Sequence, residues 1–190
     1  SDLRKAAAQK LCAQIRAALQ DLNFADVRFE AVFEQTGHFS ANGTDNMYFV
    51  IAANPGEALK PLSKVASGGE LSRIMLAIKT VLADQDAVET LIFDEIDTGI
   101  SGRTAQKVSE KLSYIAKSHQ VICITHLPQI AARGRAHYKV YKKDSDTETN
   151  SHIRRLTDEE RVEEIAHMLS GATLTEAALS NAKALLARTS

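Results

Sequence analysis

The sequence predicts an α/β fold in which helices flank a mostly parallel sheet. Three successive segments predict it: a short, continuously apolar run at residues 90–93, an amphipathic stretch at 103–118, and a second apolar run at 121–125. Such runs are typical of strands covered on both faces. A strand, a helix and a second strand of this kind form a parallel crossover. With 190 residues and a hydrophobic fraction of 44%, the chain is long enough to bury one sizeable core.

The overall composition narrows the class of protein. Lys and Arg number 23 against 24 Asp and Glu, so the chain lacks the basic excess that binds nucleic acid. The two cysteines, Cys12 and Cys123, match no metal-ligand spacing and lie in apolar patterns, as buried thiols in a reducing compartment do. No apolar run approaches the roughly 18 residues of a membrane span, and the N-terminus does not resemble a signal peptide. We therefore expect a soluble, cytoplasmic protein.

The chain begins with a predicted amphipathic helix over residues 3–22. Its apolar residues recur on one helical face between Arg, Lys, Gln and Asp: Leu3, Ala7, Leu11, Ile15, Ala18, Leu19 and Leu22. The stripe extends to the start of the chain, as it would at the end of a coiled coil. A simple packed helix of about three heptads has the same pattern, so both interpretations stay open.

Two strand-like runs follow, at residues 24–33 and 46–52. They are separated by Gly37 and by the pair Asn42-Gly43, whose tolerance of positive φ suits a hairpin connection, so we expect an antiparallel pair. A helix then begins at about Gly68. The apolar residues that should pack on the sheet are Leu71, Ile74, Met75, Ile78 and Leu82.

The C-terminal part predicts a hairpin and two helices. Residues 137–143 and 152–156 flank a polar stretch at 144–150, which is the pattern of two strands around a tip. The second of the two helices should begin with a capping box formed by Thr173 and Glu176. No internal repeat interrupts the chain, so one globular unit with appendages is expected.

The stretch Ser67-Gly68-Gly69-Glu70 is the first candidate site. It places a hydroxyl and two residues without side chains at the start of a helix, where backbone N–H groups lack helical partners and the helix dipole is positive. Such a terminus can bind an anion. A capping box explains the same residues, because Ser67 and Glu70 have the S-x-x-E spacing, and for this motif alone it is the commoner explanation.

Asp94 and Glu95 form the second candidate site, directly after the apolar run at 90–93. Ligands of parallel sheets gather at the carboxyl ends of the strands. Asp94 is therefore a candidate Mg²⁺ residue, directly or through water, and Glu95 a candidate for polarising an attacking water. Acids also open ordinary loops after buried strands, so these two residues alone do not decide between a site and a loop.

His126 is the third candidate, because it follows the second apolar run and should lie at the same sheet edge as Asp94 and Glu95. An imidazole there can hydrogen-bond a phosphate. A lone histidine is more often a satisfied structural residue, so its type alone favours the structural explanation. The other five histidines lack this placement.

The order and spacing of the three motifs resemble the second half of an ABC ATPase head, with a signature motif at 67–73, a Walker B motif at 90–95 and a switch histidine at His126. The stretches Leu91-Ile92-Phe93-Asp94-Glu95-Ile96-Asp97-Thr98-Gly99-Ile100-Ser101-Gly102 and Thr125-His126-Leu127-Pro128-Gln129 are similar to the RecN family of SMC-like ATPases. The resemblance covers roughly residues 60–188.

The resemblance implies the C-terminal lobe of an ABC/SMC-type P-loop ATPase head, with residues 1–22 as the returning end of a coiled coil and residues 23–190 as the head half. ATP and Mg²⁺ are the implied cofactors. Asp94 would bind Mg²⁺, Glu95 would be the general base, and His126 would contact the γ-phosphate. Ser67, Gly68, Gly69 and Glu70 would clamp the γ-phosphate of ATP bound to a second head. The implied function is ATP-driven head dimerisation in DNA double-strand-break repair and recombination.

Two departures limit the resemblance. No G-x-x-x-x-G-K-[ST] motif occurs, so the chain has nothing to cradle the α- and β-phosphates, and we expect it to be inactive by itself. Ser101 stands where many ABC heads have an aspartate, which leaves its role open. The implied partners are the N-terminal head half of the same polypeptide, a second head in a homodimer, and DNA through the complete protein at the nucleoid. A head of another ABC or SMC-type ATPase, or a non-catalytic module that lost its P-loop, are the alternatives.

Overall fold

The structure is a computed structural model that describes residues 1–41, 43–144, 149–171 and 173–187. Asn42 of the predicted first hairpin connection and residues 145–148 of the predicted polar tip lie outside the described residues. The chain divides into two compact units, Ser1–Ile124 and Thr125–Ser190, instead of the one unit that the sequence predicts. Among the described residues, no helix is long and apolar enough to cross a membrane.

The first unit begins with a helix packed on an antiparallel sheet. Helix α1 (Asp2–Gln20) buries the apolar face of its second half, while Leu3 and Ala7 of the predicted stripe are exposed. Strands β1 (Arg28–Ser40), β2 (Gly43–Ala52) and β3 (Lys60–Pro61) pair in the order β1-β2-β3. The first strand was predicted to begin at Phe24, which is wrong. Phe24 and Val27 are buried in the turns after α1. Their apolar character therefore reflects burial in a turn and does not indicate a strand.

The second half of this unit contains the predicted parallel crossover. Its elements are α2 (Gly68–Leu82), β4 (Thr90–Phe93), α3 (Gly102–Ile115) and β5 (Gln120–Cys123). Strands β4 and β5 pair in parallel, with Leu91 opposite Val121 and Ile92 opposite Ile122. The α/β class is therefore confirmed. The parallel part is smaller than predicted, because the other two sheets in the described residues are hairpin-based and antiparallel.

The parallel pair is covered on one face only. Leu91 and Phe93 are buried, while Ile92 is 67% exposed and lies beside Ile122 and Ile124, which are 45% and 57% exposed. The prediction that both faces are covered is therefore wrong for this chain by itself. A continuous apolar run indicates that both faces of the strand carry apolar side chains. It does not indicate which segment covers the second face.

Helix α2 presents a different face to the core from the predicted one. Leu71 and Met75, predicted to face inward, are 36% and 37% exposed. Ile74 is buried as predicted, and the other buried residues of α2 are Gly69, Arg73, Leu76 and Ala77. The helix is buried on the side that packs against α1 and α3. That side includes Arg73, so counting only apolar residues places the buried face wrongly.

The second unit combines a hairpin with three helices. They are α4 (Pro128–Ala131), β6 (Tyr138–Asp144), β7 (Thr149–Arg155), α5 (Asp158–Ser170) and α6 (Glu176–Ala187). Strands β6 and β7 are antiparallel, as predicted. The core of this unit lies between α5 and α6 around Ile165.

The capping box predicted at Thr173 is wrong. Helix α6 begins at Glu176, and the hydroxyl of Thr175, the residue directly before it, accepts a hydrogen bond from the N–H of Ala178 at 3.1 Å. The residue adjacent to the first helical residue is the one whose side chain can reach the free N–H groups. A complete capping box occurs instead at α5, between Thr157 and Glu160.

Candidate functional site

Ser67 is the N-cap of α2. Its backbone is extended, with φ −91° and ψ 123°, and its Oγ accepts a hydrogen bond from the N–H of Glu70 at 3.3 Å. The helical bond pattern starts at the same residue, because the N–H of Leu71 donates to the carbonyl of Ser67 at 3.0 Å. Ser67 therefore caps α2 through its side chain, which is one half of the predicted capping box. This cap does not exclude anion binding, since the exposed Ser67 and Gly68 remain at the positive end of the α2 dipole.

Asp94 and Glu95 leave the carboxyl end of β4 with exposed side chains. The Oδ1 of Asp94 accepts a hydrogen bond from the N–H of Glu95 at 2.8 Å, which orients the Asp94 carboxylate. The backbone of Glu95 has φ 56°, in the left-handed region that is sterically costly for residues other than glycine. The two acids therefore occupy a sharp turn at the sheet edge and point away from the strand.

The start of α2 and the turn at Glu95 are in close contact. A Cβ on Gly68 would overlap the Oε2 of Glu95. A Cβ on Gly69 would lie 2.9 Å from the carbonyl oxygen of Glu95 and 2.9 Å from the Cβ of Thr98. Gly69 is needed for this approach, because main-chain and Cβ atoms leave no room for a side chain there, whereas at Gly68 the obstacle is the movable Glu95 carboxylate. The structure thus brings together two of the three predicted motifs, at 67–70 and at 94–95.

The two glycines should respond differently to substitution. We expect Gly69→Ala to destabilise the isolated chain by about 1–3 kcal/mol, because its methyl group would press on main-chain and Cβ atoms. Gly68→Ala should cost less, since the Glu95 carboxylate can rotate away and alanine favours a helix by about 0.5–1 kcal/mol. Thermal unfolding of both variants tests this. Equal melting temperatures of the two variants would show that the main chain at Glu95 moves away from a methyl group as easily as the Glu95 side chain does.

Arg73 is a component of this region that the sequence interpretation missed. It is only 7% exposed, and its guanidinium donates to the carbonyl oxygens of Thr98 at 2.8 Å and Ile96 at 3.3 Å. The guanidinium carbon lies 5.6 Å from the centre of the Phe24 ring. Burial lowers the pKa of Arg73. No signal in the sequence indicated this role, because the apolar pattern of α2 did not place Arg73 on the buried face.

The end of β5 lies beside the same acids. Burial, followed by the negative charges of Asp97 and Asp94, raises the pKa of the Cys123 thiol to about 12. The thiol is therefore protonated at neutral pH. The sequence predicted a buried thiol, and Cys123 is half-buried in the structure. Ser101 is the N-cap of α3 and makes no capping hydrogen bond with its side chain.

His126 belongs to the second unit, three residues after the end of β5. It is exposed and lies in a turn before α4, where the Oγ1 of Thr125 accepts a hydrogen bond from the N–H of Leu127 at 3.0 Å. The association of His126 with Asp94 and Glu95 continues to rest on its position after β5 in the sequence.

The acids at this edge suit Mg²⁺ only as partial ligands. Among the described residues, no group of three or more His, Cys, Asp or Glu side chains could hold a metal ion. Mg²⁺ is commonly bound by one or two carboxylates together with substrate phosphates and water. Asp94 supplies one oriented carboxylate, which fits a Mg²⁺ site completed by substrate phosphates and water.

Comparison with known proteins shows similarity to one group of proteins over nearly the whole chain. It is 45% identical over 190 residues to the DNA repair protein RecN of Halalkalibacterium halodurans, covering 98% of the chain and 34% of that protein. It is 49% identical over 185 residues to RecN of Deinococcus radiodurans, covering 97% of the chain and 32% of that protein. The chain thus spans about a third of the length of these relatives. No protein-family model matches it.

Solved structures agree on the fold. The Smc head domain of Pyrococcus yayanosii, solved with a coiled coil and joint, superimposes with a TM-score of 0.63 and 16% identity, over 90% of the chain and 30% of that structure. The Smc head domain of Pyrococcus furiosus, solved with the C-terminal domain of ScpA, gives 0.57 and 17%, over 88% and 39%. The chain is therefore similar to a C-terminal third of RecN proteins and has the fold of an SMC ATPase head.

Proposed function

We propose that the chain is the C-terminal half of an ATP-binding and ATP-hydrolysing head, in a protein that acts in DNA double-strand-break repair and recombination. The observation that carries this proposal is the contact between the start of α2 and the turn at Asp94 and Glu95, at the carboxyl end of a parallel strand. Two of the three motifs of the ATPase resemblance lie there in one compact unit. The RecN relatives provide the connection to DNA repair.

Each residue of the site has a proposed task. When bound, MgATP supplies the transferable γ-phosphoryl group and the charge that neutralises its oxygens. The Asp94 carboxylate contributes a ligand to Mg²⁺, and the exposed Glu95 carboxylate accepts a proton from water. His126 donates a hydrogen bond to a γ-phosphate oxygen. The residues Ser67, Gly68, Gly69 and Glu70 present the positive end of α2 to a γ-phosphate held by a second head.

The proposed partner within the same polypeptide is an N-terminal head half, which would supply the P-loop. The exposed apolar face of the β4–β5 pair, formed by Ile92, Ile122 and Ile124, supports this. A two-stranded parallel sheet with one bare apolar face is not expected to persist in water, because parallel sheets occur with both faces covered. Two thirds of the length of the RecN relatives lies outside the matched region and is available to cover it.

Helix α1 is proposed to be the end of a coiled coil, with the domain boundary at residues 22 and 23. Ile15 and Leu19 in the second half of the helix are fully buried, whereas Leu3 in its first turn is 89% exposed. The apolar stripe therefore continues beyond the part that packs on the head. A second helix along the stripe would bury Leu3. DNA would be contacted through the complete protein, in the cytoplasm at the nucleoid.

Reconstitution tests this proposal. We expect the isolated chain to hydrolyse no ATP above background and to bind MgATP weakly, and the addition of the N-terminal head half to restore both activities. Ile92→Glu should weaken reassociation by on the order of 100-fold or more, because it would bury an unpaired carboxylate. Leu174→Glu, at another partly exposed apolar residue, is the matched control.

Two outcomes contradict the proposal. Micromolar MgATP affinity of the isolated chain, measured by calorimetry, would require a phosphate site within these residues. A reconstituted or complete protein that neither binds nor hydrolyses ATP would favour the alternative, a non-catalytic interaction module with the ATPase fold.

A further inference from the structure

The backbone at Glu95 is held in a conformation that glutamate does not favour. Its φ of 56° places it in the left-handed region, one of two positive-φ residues other than glycine among those described. Such conformations persist when the surrounding structure holds them, and they are concentrated at functional sites. The question is therefore which groups hold this turn.

Two consecutive residues of α2 hold the main chain on both sides of Glu95. Before it, the hydroxyl of Ser72 donates to the carbonyl oxygen of Asp94 at 2.7 Å. After it, Arg73 donates to the carbonyl oxygens of Ile96 at 3.3 Å and Thr98 at 2.8 Å. The turn itself is closed by a hydrogen bond from the N–H of Thr98 to the carbonyl of Glu95, at 3.0 Å.

Arg73 is suited to this task by its chemistry. Both carbonyl oxygens accept from the same terminal nitrogen, Nη1, which the rigid guanidinium plane holds in place, so a single side chain can fix two carbonyl groups at a set separation. An apolar side chain would fill the same space without the cost of burying a cation. The cost is offset in part by the Phe24 ring, 5.6 Å from the guanidinium carbon, and by the two carbonyl contacts.

From this geometry we infer that Arg73 is a positioning residue for hydrolysis: together with Ser72, it fixes the main chain around Glu95 and thereby aims the Glu95 carboxylate. The same hydrogen bonds join α2, which carries the motif at 67–70, to the turn that carries Asp94 and Glu95. This inference rests on the proposed function, in which Glu95 accepts the proton from water.

The test is a double-mutant cycle in the complete protein. Arg73→Met, which keeps an unbranched apolar stem but removes the donors, should lower kcat on the order of 10- to 100-fold, because small misplacements of catalytic groups have effects of this size. The ATP dissociation constant should change less than threefold. In the Glu95→Gln background, the same substitution should cause little additional loss, since Arg73 acts through Glu95. Arg73→Lys, which can reach one carbonyl, should restore part of kcat.

Two further variants separate positioning from stability. Ser72→Ala removes only the bond to Asp94, so it should lower kcat in the same direction even if Arg73→Met folds poorly. Arg161→Met is the matched control, because Arg161 in the second unit also donates to two carbonyl oxygens, those of Gly134 at 2.6 Å and Arg135 at 3.5 Å. It should lower the melting temperature without lowering kcat.

Several results would overturn the inference. Normal kcat in both Arg73→Met and Ser72→Ala would show that the turn at Glu95 keeps its conformation without the hydrogen bonds from these two side chains. Losses that multiply in the double variant, or an equal loss in Arg161→Met, would show a general effect on folding. These outcomes differ from failure of the proposed function, which would appear as a wild-type protein without ATPase activity or as normal turnover in Glu95→Gln alone.

Discussion

Glu95→Gln in the complete protein is expected to slow ATP hydrolysis on the order of 100-fold or more, which is the usual contribution of a positioned general base. The amide keeps the size and shape of the carboxylate but cannot accept a proton from water. Because Glu95 is exposed and glutamine has the same size, the substitution should leave the fold unchanged. ATP binding and ATP-driven dimerisation should therefore persist, and dimers should accumulate with ATP itself.

Single-turnover hydrolysis, nucleotide affinity and sedimentation in the presence of ATP measure these effects. Glu89→Gln is a matched control, because Glu89 directly precedes β4 and is exposed at the opposite end of the same strand. It should hydrolyse ATP at the wild-type rate. Near-normal turnover in Glu95→Gln would remove Glu95 from the role of base and leave the turn at the end of β4 as a structural feature.

Ser67→Arg in the complete protein is expected to abolish ATP-dependent dimerisation and hydrolysis. Ser67 is exposed at the first position before α2, so a long side chain there would occupy the space through which the start of α2 approaches a γ-phosphate on another head. Binding of ATP to the P-loop of the same head should survive, because that pocket would lie in the N-terminal half. Sedimentation with a non-hydrolysable ATP analogue, together with nucleotide affinity, measures both effects.

Ser67→Ala separates this effect from the loss of the cap. Alanine removes the hydrogen bond from Glu70 without adding bulk, which should cost about 1 kcal/mol. For a chain of 190 residues that corresponds to a fall of about 2–4 °C in melting temperature. Dimerisation should be much less affected than in Ser67→Arg. If the ATP-induced dimer persists in Ser67→Arg, then Ser67 is a helix cap only and the signature assignment fails.

Much of the local structure was predicted correctly from short-range patterns. The parallel crossover of β4, α3 and β5, the start of α2 at Gly68 and the C-terminal hairpin follow from apolar periodicity and turn residues, which act between near neighbours in the chain. The candidate site was also visible, because hydroxyl, glycine and carboxylate residues directly adjoin predicted elements. The contact of the motif at 67–70 with Asp94 and Glu95 was not predicted from the sequence and comes from the structure.

The sequence by itself determined which residues form elements and which polar groups lie at their ends, since propensity, capping and periodicity are local properties. Only the tertiary structure decided which face of α2 is buried, because that depends on α1 and α3 packing against it and includes the cation Arg73. It also decided that one face of the β4–β5 pair is bare, and that Ser72 and Arg73 hold the turn at Glu95. These features depend on contacts between residues more than 20 positions apart, whose register no local pattern specifies.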